Sequence, residues 1–469
     1  MSIECRNINF TYFEDRKSVL SHIGGTFDAG KITVLTGKSG CGKSTLLYLF
    51  AGIYPKHAGI LKSGSILVEG KNPAELIPKE RCKLVGMMFQ NPELQFCMDT
   101  VKNELIFCLE NICEDPLKMD SMVDEALAFC GIAHLKERKL LSLSGGEKQK
   151  VMLACLAMLK PKWLLLDEPF ANIDDASAGD IAHKLKQLHE KFGMGILAVD
   201  HRLENWGDVA DEVRIMVDGT LVDERMQMEH LDWRRMREFG IYAPETFCRE
   251  KPPETAAPVL QLSHVSVNYG NSMILRDVSA SFCPGHSYAI VGESGSGKSS
   301  LFGAISGLYP HGGEILLDGK KYRAKKKTDL GKIGFVTQNP QDQFVADTVR
   351  QEILVSLKKE KNAGSLSESI LRSIKLWRYR DVSAYLLSQG QQRRLGVAAL
   401  LAYRCKVLLC DEPTYAQDWE NTVAIMEGLC KQARENNMAL IFSTHDRNVA
   451  GNYADKVFEL RGGYLYEKN

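Results

Sequence analysis

The chain has 469 residues, more than one hydrophobic core usually supports, so we expect at least two domains. Its 59 basic and 59 acidic residues give a formal net charge of zero, so nucleic acid is not expected as the main partner, although a local basic patch could exist. The 13 cysteines form no C-x-x-C pair, the first residues lack a signal pattern, and apolar runs such as 151–159 are too short to cross a bilayer. These features predict a reduced, cytosolic protein that reaches a membrane only through a partner.

Residues 3–12 alternate between apolar and polar side chains and predict a half-buried strand that ends at Tyr12. A tyrosine at this place usually packs against its neighbours, but it could also stack on a purine. Residues 262–269 repeat the pattern and end at Tyr269, so both interpretations stay open for the two tyrosines.

The apolar run 32–35 leads into the phosphate-binding pattern G-x-x-x-x-G-K-[ST], which is followed by helix-forming residues. In this pattern, backbone N–H groups and a helix start face an anion, the lysine reaches the β- and γ-phosphates, and the serine hydroxyl binds Mg²⁺. The pattern recurs after residues 288–291, so a chance match is negligible. The predicted ATP-binding residues are Gly37, Lys38, Ser39, Gly40, Cys41, Gly42, Lys43, Ser44 and Thr45 in the first half, and Gly292, Glu293, Ser294, Gly295, Ser296, Gly297, Lys298, Ser299 and Ser300 in the second.

Residues 65–70 predict a strand that ends in a glycine turn. A second strand, 85–89, delivers Gln90 to a loop, and Asn91-Pro92 breaks the chain before a predicted helix. A glutamine here is normally a solvated loop residue, but residues 333–344 repeat the arrangement around Gln338. Residues 99–142 have a helical pattern and suggest a small helical subdomain.

A predicted helix start and the ends of two predicted buried strands carry polar groups. Ser144, Gly145 and Gly146 begin a helix whose Glu147 completes a capping box, yet the glycines would also leave N–H groups bare for an anion. Residues 163–166 lead to Asp167 and Glu168, and residues 195–199 lead to His201. Ligands bind at the carboxyl ends of strands in open α/β sheets, which favours a functional interpretation over loop capping.

Residues 240–258 combine prolines with charged residues and predict a semi-extended linker. After it, the series restarts in the same order. The second copies are Tyr269, the loop from Gly292, Gln338, Ser388, Gly390, Asp411, Glu412 and His445. We therefore predict a tandem duplication with domains at residues 1–239 and 259–469.

This ordered set, present twice, resembles the nucleotide-binding domain of ATP-binding-cassette (ABC) proteins over nearly the whole chain outside the linker. The resemblance implies an α/β fold with two tandem P-loop NTPase domains. Each would have a RecA-like, mostly parallel sheet, an N-terminal antiparallel β subdomain and a helical subdomain. It also implies ATP hydrolysis with Mg²⁺.

By the same resemblance, the halves pair head-to-tail, within or between chains, and enclose two ATP molecules. In this resemblance, Glu168 and Glu412 position the attacking water, and His201 and His445 contact the γ-phosphate. Gln90 and Gln338 report the nucleotide state to a membrane partner. The implied Mg²⁺ ligands are Ser44, Gln90, Asp167, Ser299, Gln338 and Asp411. Ser388 and Gly390 would complete the first site, and Ser144, Gly145 and Gly146 the second. Gln389 stands where the first half has Gly145, so we expect slower hydrolysis at the Lys43 site unless its side chain points away.

Three features make the chain similar to fused ATPases of energy-coupling-factor transporters, which take up vitamins or transition-metal ions. They are the motif Gln-Asn-Pro-x-x-Gln-Phe at both Gln loops, residues 199–204 in the first half and residues 414–418 in the second. This implies a peripheral location on the cytoplasmic face of the cell membrane, with a transmembrane coupling subunit and a substrate-binding membrane subunit. Helices carrying Phe96 and Phe344 would lie near the docking groove. A sugar-importer ATPase is an alternative, as is a soluble ribosome-associated tandem cassette, although the short linker disfavours the latter. A non-catalytic binding module is disfavoured because both Glu168 and Glu412 are present.

Overall fold

The computed structural model describes residues 2–14, 18–171, 173, 175–241, 257–270, 272–293, 295–324, 326, 328–329, 331–337, 339–358, 360–387, 389–403, 405–414 and 419–468, with only the backbone of residues 175, 389 and 420. The chain divides into two compact units, Met1–Ala243 and Pro244–Asn469. Most of the predicted linker, residues 242–256, lies outside the described residues.

The described part of the first unit contains nine strands and seven α-helices. In chain order they are β1 (Ser2–Thr11), β2 (Leu20–Asp28), β3 (Ile32–Thr36), α1 (Lys43–Phe50), β4 (Ile60–Val68), α2 (Pro78–Leu84), β5 (Val85–Met88), α3 (Val101–Asn111), α4 (Pro116–Phe129), α5 (Gly145–Leu159), β6 (Trp163–Asp167), α6 (Asp175–Phe192), β7 (Gly195–Val199), β8 (Glu212–Val217), β9 (Thr220–Gln227) and α7 (Trp233–Glu238).

These strands form two sheets. An antiparallel sheet has the order β2-β1-β4, and a six-stranded sheet has the order β5-β6-β7-β3-β8-β9, parallel except for β9. The strands β3, β6 and β7 are buried along their whole length, because a parallel sheet is covered on both faces. Their carboxyl ends therefore lie at one edge and carry the polar residues that follow them.

The second unit repeats this arrangement. Its described elements are β10 (Leu260–Tyr269), β11 (Ser272–Phe282), β12 (Ser287–Val291), α8 (Lys298–Ser306), β13 (Gly312–Leu317), β14 (Lys320–Lys321), β15 (Ile333–Val336), α9 (Val349–Ser356), α10 (Ala363–Ser373), α11 (Gln389–Ala402), β16 (Val407–Cys410), α12 (Trp419–Glu435), β17 (Ala439–Ser443), α13 (Arg447–Tyr453), β18 (Lys456–Arg461) and β19 (Tyr464–Lys468). The sheet orders are β11-β10-β13-β14 and β15-β16-β17-β12-β18-β19. The predicted α/β class, with a parallel sheet and an antiparallel strand subdomain in each half, is confirmed.

Helices of the first unit complete its main core. Leu105 of α3 and Val123 and Leu127 of α4 pack in the same apolar cluster as Val151 of α5. The predicted helical segment 99–142 thus contains two α-helices joined to the sheet layer through α5. No helix in the described part of the chain is long and apolar enough to cross a bilayer.

One local prediction was too short and another was wrong. The predicted strand that ends in a glycine turn is confirmed at residues 65–68, with the turn at residues 69–70. The strand begins earlier than predicted, at Ile60, because residues 60–63 pair with β1 although most of them are exposed. The residues Phe96 and Phe344 lie in loops rather than helices, since Pro92–Leu94 and Pro340–Gln343 form only a 3₁₀ turn. The side chain of Gln95 accepts from the amide of Phe89 (2.7 Å) and donates to the carbonyl of Met87 (2.9 Å), which holds the first loop against β5.

Candidate nucleotide site

The loop between β3 and α1 forms a tight cradle. Gly42 precedes α1 in the left-handed conformation (φ 104°), which glycine adopts without steric penalty. A Cβ added to Gly37 would lie 2.2 Å from the carbonyl oxygen of Met216, so only glycine lets the loop pass this close to β8. The Lys43 ammonium lies inside the loop, 2.8 Å from the carbonyl oxygen of Gly37 and 3.0 Å from that of Lys38.

The loop between β12 and α8 has the same form. The Lys298 ammonium lies 2.7 Å from the carbonyl oxygen of Gly292 and 2.9 Å from that of Glu293. The side-chain oxygen of Ser296 is buried and has no hydrogen-bond partner among the described residues. An unpaired buried hydroxyl of this kind suits a polar ligand atom. The predicted site residue Ser294 lies outside the described part of the loop.

Polar side chains from three strand ends meet in the first unit. Ser44 Oγ donates to Asp167 Oδ1 (2.9 Å). Gln90 Nε2 donates to Glu168 Oε2 (2.6 Å), and His201 Nε2 lies 3.2 Å from Glu168 Oε1. The structure therefore brings together the phosphate loop, the Gln loop and both strand-end carboxylates.

The second unit assembles a similar cluster. His445 Nδ1 lies 3.0 Å from Glu412 Oε2. Ser299 hydrogen-bonds with Asp411. Ser443 Oγ donates to Asp411 Oδ1 at 2.5 Å. The side chain of Gln338 falls outside the described residues.

Both glutamates have the same unusual backbone. Glu168 has φ 48° and Glu412 has φ 49°, in the left-handed region that non-glycine residues seldom adopt. Such strain persists only where surrounding contacts enforce it, and it is concentrated at functional sites. The amide of Glu168 donates to the carbonyl of Val199 (2.8 Å), a contact that ties this turn to β7.

Burial sets the charge state of the carboxylates. It raises the pKa of Asp167 to about 6, with a further contribution from the charge of Glu168. Burial acts the same way on Glu168, but the charge and hydrogen bond of His201, together with Lys43 and Gln90, outweigh it and lower the pKa of Glu168. Burial likewise raises the pKa of Asp411. At neutral pH, Glu168 is therefore ionised and able to accept a hydrogen bond from water.

These residues fit ATP and Mg²⁺. The two cradles present backbone and lysine groups suited to phosphate oxygens. Hydroxyl and carboxylate oxygens are the kind of ligand that Mg²⁺ prefers. The Ser44 and Asp167 oxygens lie beside each other, 2.9 Å apart, so these two residues would hold the ion.

The Ser-Gly-Gly motif lies apart from the carboxylate cluster in its hydrogen bonding. Ser144 precedes α5 and forms the predicted capping box, with its amide donating to Glu147 Oε2 (2.7 Å). Gly146 lies beside Ser177 and Ile173. In the second unit Gly390 belongs to α11, whereas Ser388 and the side chain of Gln389 lie outside the described residues.

The two strand-end tyrosines differ. The Tyr12 hydroxyl hydrogen-bonds with Thr45 Oγ1 (2.8 Å), and its ring packs edge-on against Phe10 and Tyr54. Tyr269 is 82% exposed. Packing therefore accounts for Tyr12 in this structure, and stacking on a purine stays a prediction for both.

Cys41 provides a direct test of ligand binding in the first loop. Its side chain is buried, and burial raises its pKa although Lys43 opposes the effect, so little thiolate should form at pH 7. We expect maleimide to modify Cys41 at least about 10-fold more slowly than the exposed Cys97, and Mg-ATP to slow it further. Peptide mass spectrometry of timed reactions measures both rates. Equal rates with and without nucleotide would contradict ATP binding at this loop.

Sequence reasoning missed three residues at the site. Asp200 is buried and accepts hydrogen bonds from the Arg202 amide (3.0 Å) and Trp206 Nε1 (2.9 Å), which orients the turn that carries His201. Tyr48 and Ser443 hydrogen-bond with the two strand-end aspartates. No local pattern marks the last two, because the other half has Gly303 and Val199 at the corresponding positions.

Comparison with known proteins agrees with this geometry. The ABC transporter family model matches residues 20–171 and 275–415. The chain is 33% identical to the putative HMP/thiamine import ATP-binding protein YkoD of Bacillus subtilis, over 97% of this chain and 88% of that protein. It is 29% identical to a putative ABC transporter ATP-binding protein of Bacillus cereus, over 100% of this chain and 90% of that protein.

Solved structures share the fold. A model of ribosome-bound archaeal Pelota and ABCE1 aligns with a TM-score of 0.73 at 18% identity, covering 98% of this chain and 78% of that one. At this identity the likeness concerns architecture only. Since the family model covers most of both units, the chain belongs to the ABC transporter family and is an ATPase with two tandem ABC domains.

Proposed function

We propose that this ATPase energises an energy-coupling-factor importer for a vitamin or a transition-metal ion. It would act at the cytoplasmic face of the membrane with a transmembrane coupling subunit and a substrate-binding membrane subunit. The observation that carries the proposal is an exposed apolar side chain beside the Gln loop of each unit. We name residues 94–98 and 342–346 the docking segments.

The docking segments are held firmly although their tips are exposed. Leu94 is 78% exposed and Val345 is 73% exposed. The buried Glu104 accepts hydrogen bonds from the amides of Cys97 (2.9 Å) and Met98 (2.8 Å). In the second unit, the buried Glu352 accepts from the amides of Val345 (3.0 Å) and Ala346 (2.9 Å). A preorganised apolar surface in both units suits two related segments of a membrane partner.

The similarity to the Bacillus subtilis protein supports a vitamin-type cargo. That relative is named as an import ATP-binding protein for HMP/thiamine, and the match extends over 97% of this chain. The cargo of this chain would be chosen by its substrate-binding membrane subunit, as the resemblance to energy-coupling-factor ATPases implies.

The contacts of Gln90 suggest how the partner is coupled to hydrolysis. Gln90 binds the Oε2 atom of Glu168 and lies four residues before Leu94. Movement of the docking segment would therefore shift Gln90 relative to the carboxylate that positions the attacking water. Bound Mg²⁺ would neutralise charge on the phosphates. Lys43 and Lys298 would orient the phosphates, and His201 and His445 would contact the γ-phosphate.

Head-to-tail pairing of the two ATPase domains, within one chain or between chains, belongs to the same proposal. Ser388 and Gly390 would complete the site of Lys43, and Ser144, Gly145 and Gly146 that of Lys298. Purification from membranes tests the function as a whole. Membrane subunits should accompany the protein and stimulate its ATPase activity, whereas co-sedimentation with ribosomes alone would contradict the proposal.

The docking segments can be tested separately. We expect Leu94→Asp to weaken binding of the membrane subunits by about 30-fold, as for loss of an interface anchor of about 2 kcal/mol. The matched control is Leu117→Asp, because Leu117 is 93% exposed on α4 and lies outside the docking segments. Pull-down titration measures the affinities, and thermal unfolding verifies the fold. Equal binding by the two variants would contradict docking at Leu94.

A further inference from the structure

The two aspartates assigned to Mg²⁺ have different hydrogen-bond partners beyond the phosphate-loop serine. Asp167 Oδ2 lies 3.4 Å from the Tyr48 hydroxyl, a long contact. Asp411 Oδ1 lies 2.5 Å from Ser443 Oγ, a short one typical of a hydroxyl donating to a carboxylate.

Neither Tyr48 nor Ser443 has a hydroxyl-bearing counterpart in the other unit. Tyr48 is the fifth residue after Lys43, and the fifth residue after Lys298 is Gly303. A Cβ at Gly303 would lie 2.2 Å from the ring of Tyr309, so this place has no room for a tyrosine. Conversely, Ser443 is the second residue before His445, and the second residue before His201 is Val199. Besides the phosphate-loop serine, each unit thus supplies one further hydroxyl to its aspartate, from α1 in the first unit and from β17 in the second.

The two hydroxyls also connect to different parts of the site. Ser443 Oγ accepts a hydrogen bond from the amide of Glu412 (3.0 Å), so one hydroxyl binds both acidic residues. The Tyr48 ring instead packs against Phe89, with ring centroids 5.6 Å apart, and Phe89 directly precedes Gln90. The aspartate of the first unit is therefore connected to the Gln loop, and that of the second to the catalytic glutamate.

We propose that Tyr48 and Ser443 are positioning residues that orient Asp167 and Asp411 toward Mg²⁺. The shorter hydrogen bond and the shared link to Glu412 hold Asp411 more rigidly. The second unit therefore binds Mg-nucleotide more tightly, whereas Mg²⁺ affinity in the first unit responds to movement of its docking segment. The inference rests on the proposed role of the two aspartates as Mg²⁺ ligands.

Mn²⁺ binding, followed by electron paramagnetic resonance in the full chain with ATP, tests the inference without relying on turnover. The Glu168→Gln, Glu412→Gln background prevents hydrolysis. Loss of an outer hydrogen bond to a metal ligand typically lowers metal affinity about 10–100-fold. We expect this loss at the Mn²⁺ site of the second unit in Ser443→Ala. In Tyr48→Phe we expect a smaller loss, below about 10-fold, at the site of the first unit, because the hydrogen bond removed is longer.

Conservative and exchanged variants separate positioning from folding. Ser443→Thr keeps the hydroxyl and should keep Mn²⁺ affinity. Adding Val199→Ser to Tyr48→Phe should restore affinity in the first unit, because residue 199 is the register partner of Asp167. Suppose that Asp411→Asn abolishes one Mn²⁺ site but Ser443→Ala leaves the Mn²⁺ affinity unchanged. This result would overturn the positioning role of Ser443 and leave Asp411 as a metal ligand. Two intact sites in Asp411→Asn would overturn the assignment of the aspartate itself, and the positioning role with it.

Discussion

The Glu412→Gln variant should lose most of the ATPase activity of the protein, and Glu168→Gln a smaller part. A positioned carboxylate that accepts a proton or orders water contributes about 10²–10⁴-fold, so each substitution should silence its own site. The ATPase rate that remains in each single variant then comes from the site that keeps its glutamate. We expect the Lys43 site to be slower because Gln389 would face it in a head-to-tail pair.

Steady-state phosphate release measures the two single variants and the double variant. Glutamine preserves the size of the side chain and its hydrogen-bonding to Gln90, so folding should be unaffected. Glu229→Gln, at an exposed residue, is the matched control and should keep full activity. Equal losses in the single variants would refute the asymmetry, and substantial activity in the double variant would refute the role of both glutamates.

The Asp167→Asn variant should be more stable than the parent protein at pH 7.5 while losing Mg-ATP binding in the first unit. Asp167 is 3% exposed and its pKa is raised to about 6, against about 4 in an unfolded chain. Between these values the unfolded chain loses its proton while the folded protein keeps it, so stability falls as pH rises. Above pH 6, ionisation of the buried Asp167 lowers the free energy of unfolding by about 3 kcal/mol. Asparagine cannot ionise, so the variant does not lose this stability.

Differential scanning calorimetry in EDTA checks the sign. The unfolding temperature of the variant should exceed that of the parent by several degrees at pH 7.5, and the difference should vanish near pH 4. Added Mg-ATP should stabilise the parent more than the variant, because ligand bound only to the folded state raises stability. A variant less stable than the parent at pH 7.5 would show that burial of the charge is not the dominant effect.

Several parts of the site could be predicted because neighbouring residues determine them. The phosphate loops follow from contiguous patterns, in which Gly42 and Gly297 permit the left-handed turn before each helix. The carboxylates could be placed because the short apolar run 163–166 must be buried, so that the polar residues directly after it lie at the carboxyl end of β6. Duplication of the chain strengthened each inference.

Other parts depend on contacts between distant residues. Phe96 and Phe344 lie outside helices because side chains such as Gln95 pair with the sheet backbone, which the local helical pattern does not reveal. The hydrogen bond between Tyr48 and Asp167 joins residues 119 apart in the chain, and that between Ser443 and Asp411 joins residues 32 apart.

The amino-acid sequence by itself determined the duplication, the strand and loop order and the identity of the candidate phosphate-binding and acidic residues, since each resides in a short local pattern. The tertiary structure alone decided which hydroxyl hydrogen-bonds with each aspartate and how the docking segments are held. The physical reason is that sheet order and packing select these partners. A side chain's hydrogen bonds depend on which strand and helix lie beside it, whatever their separation along the chain.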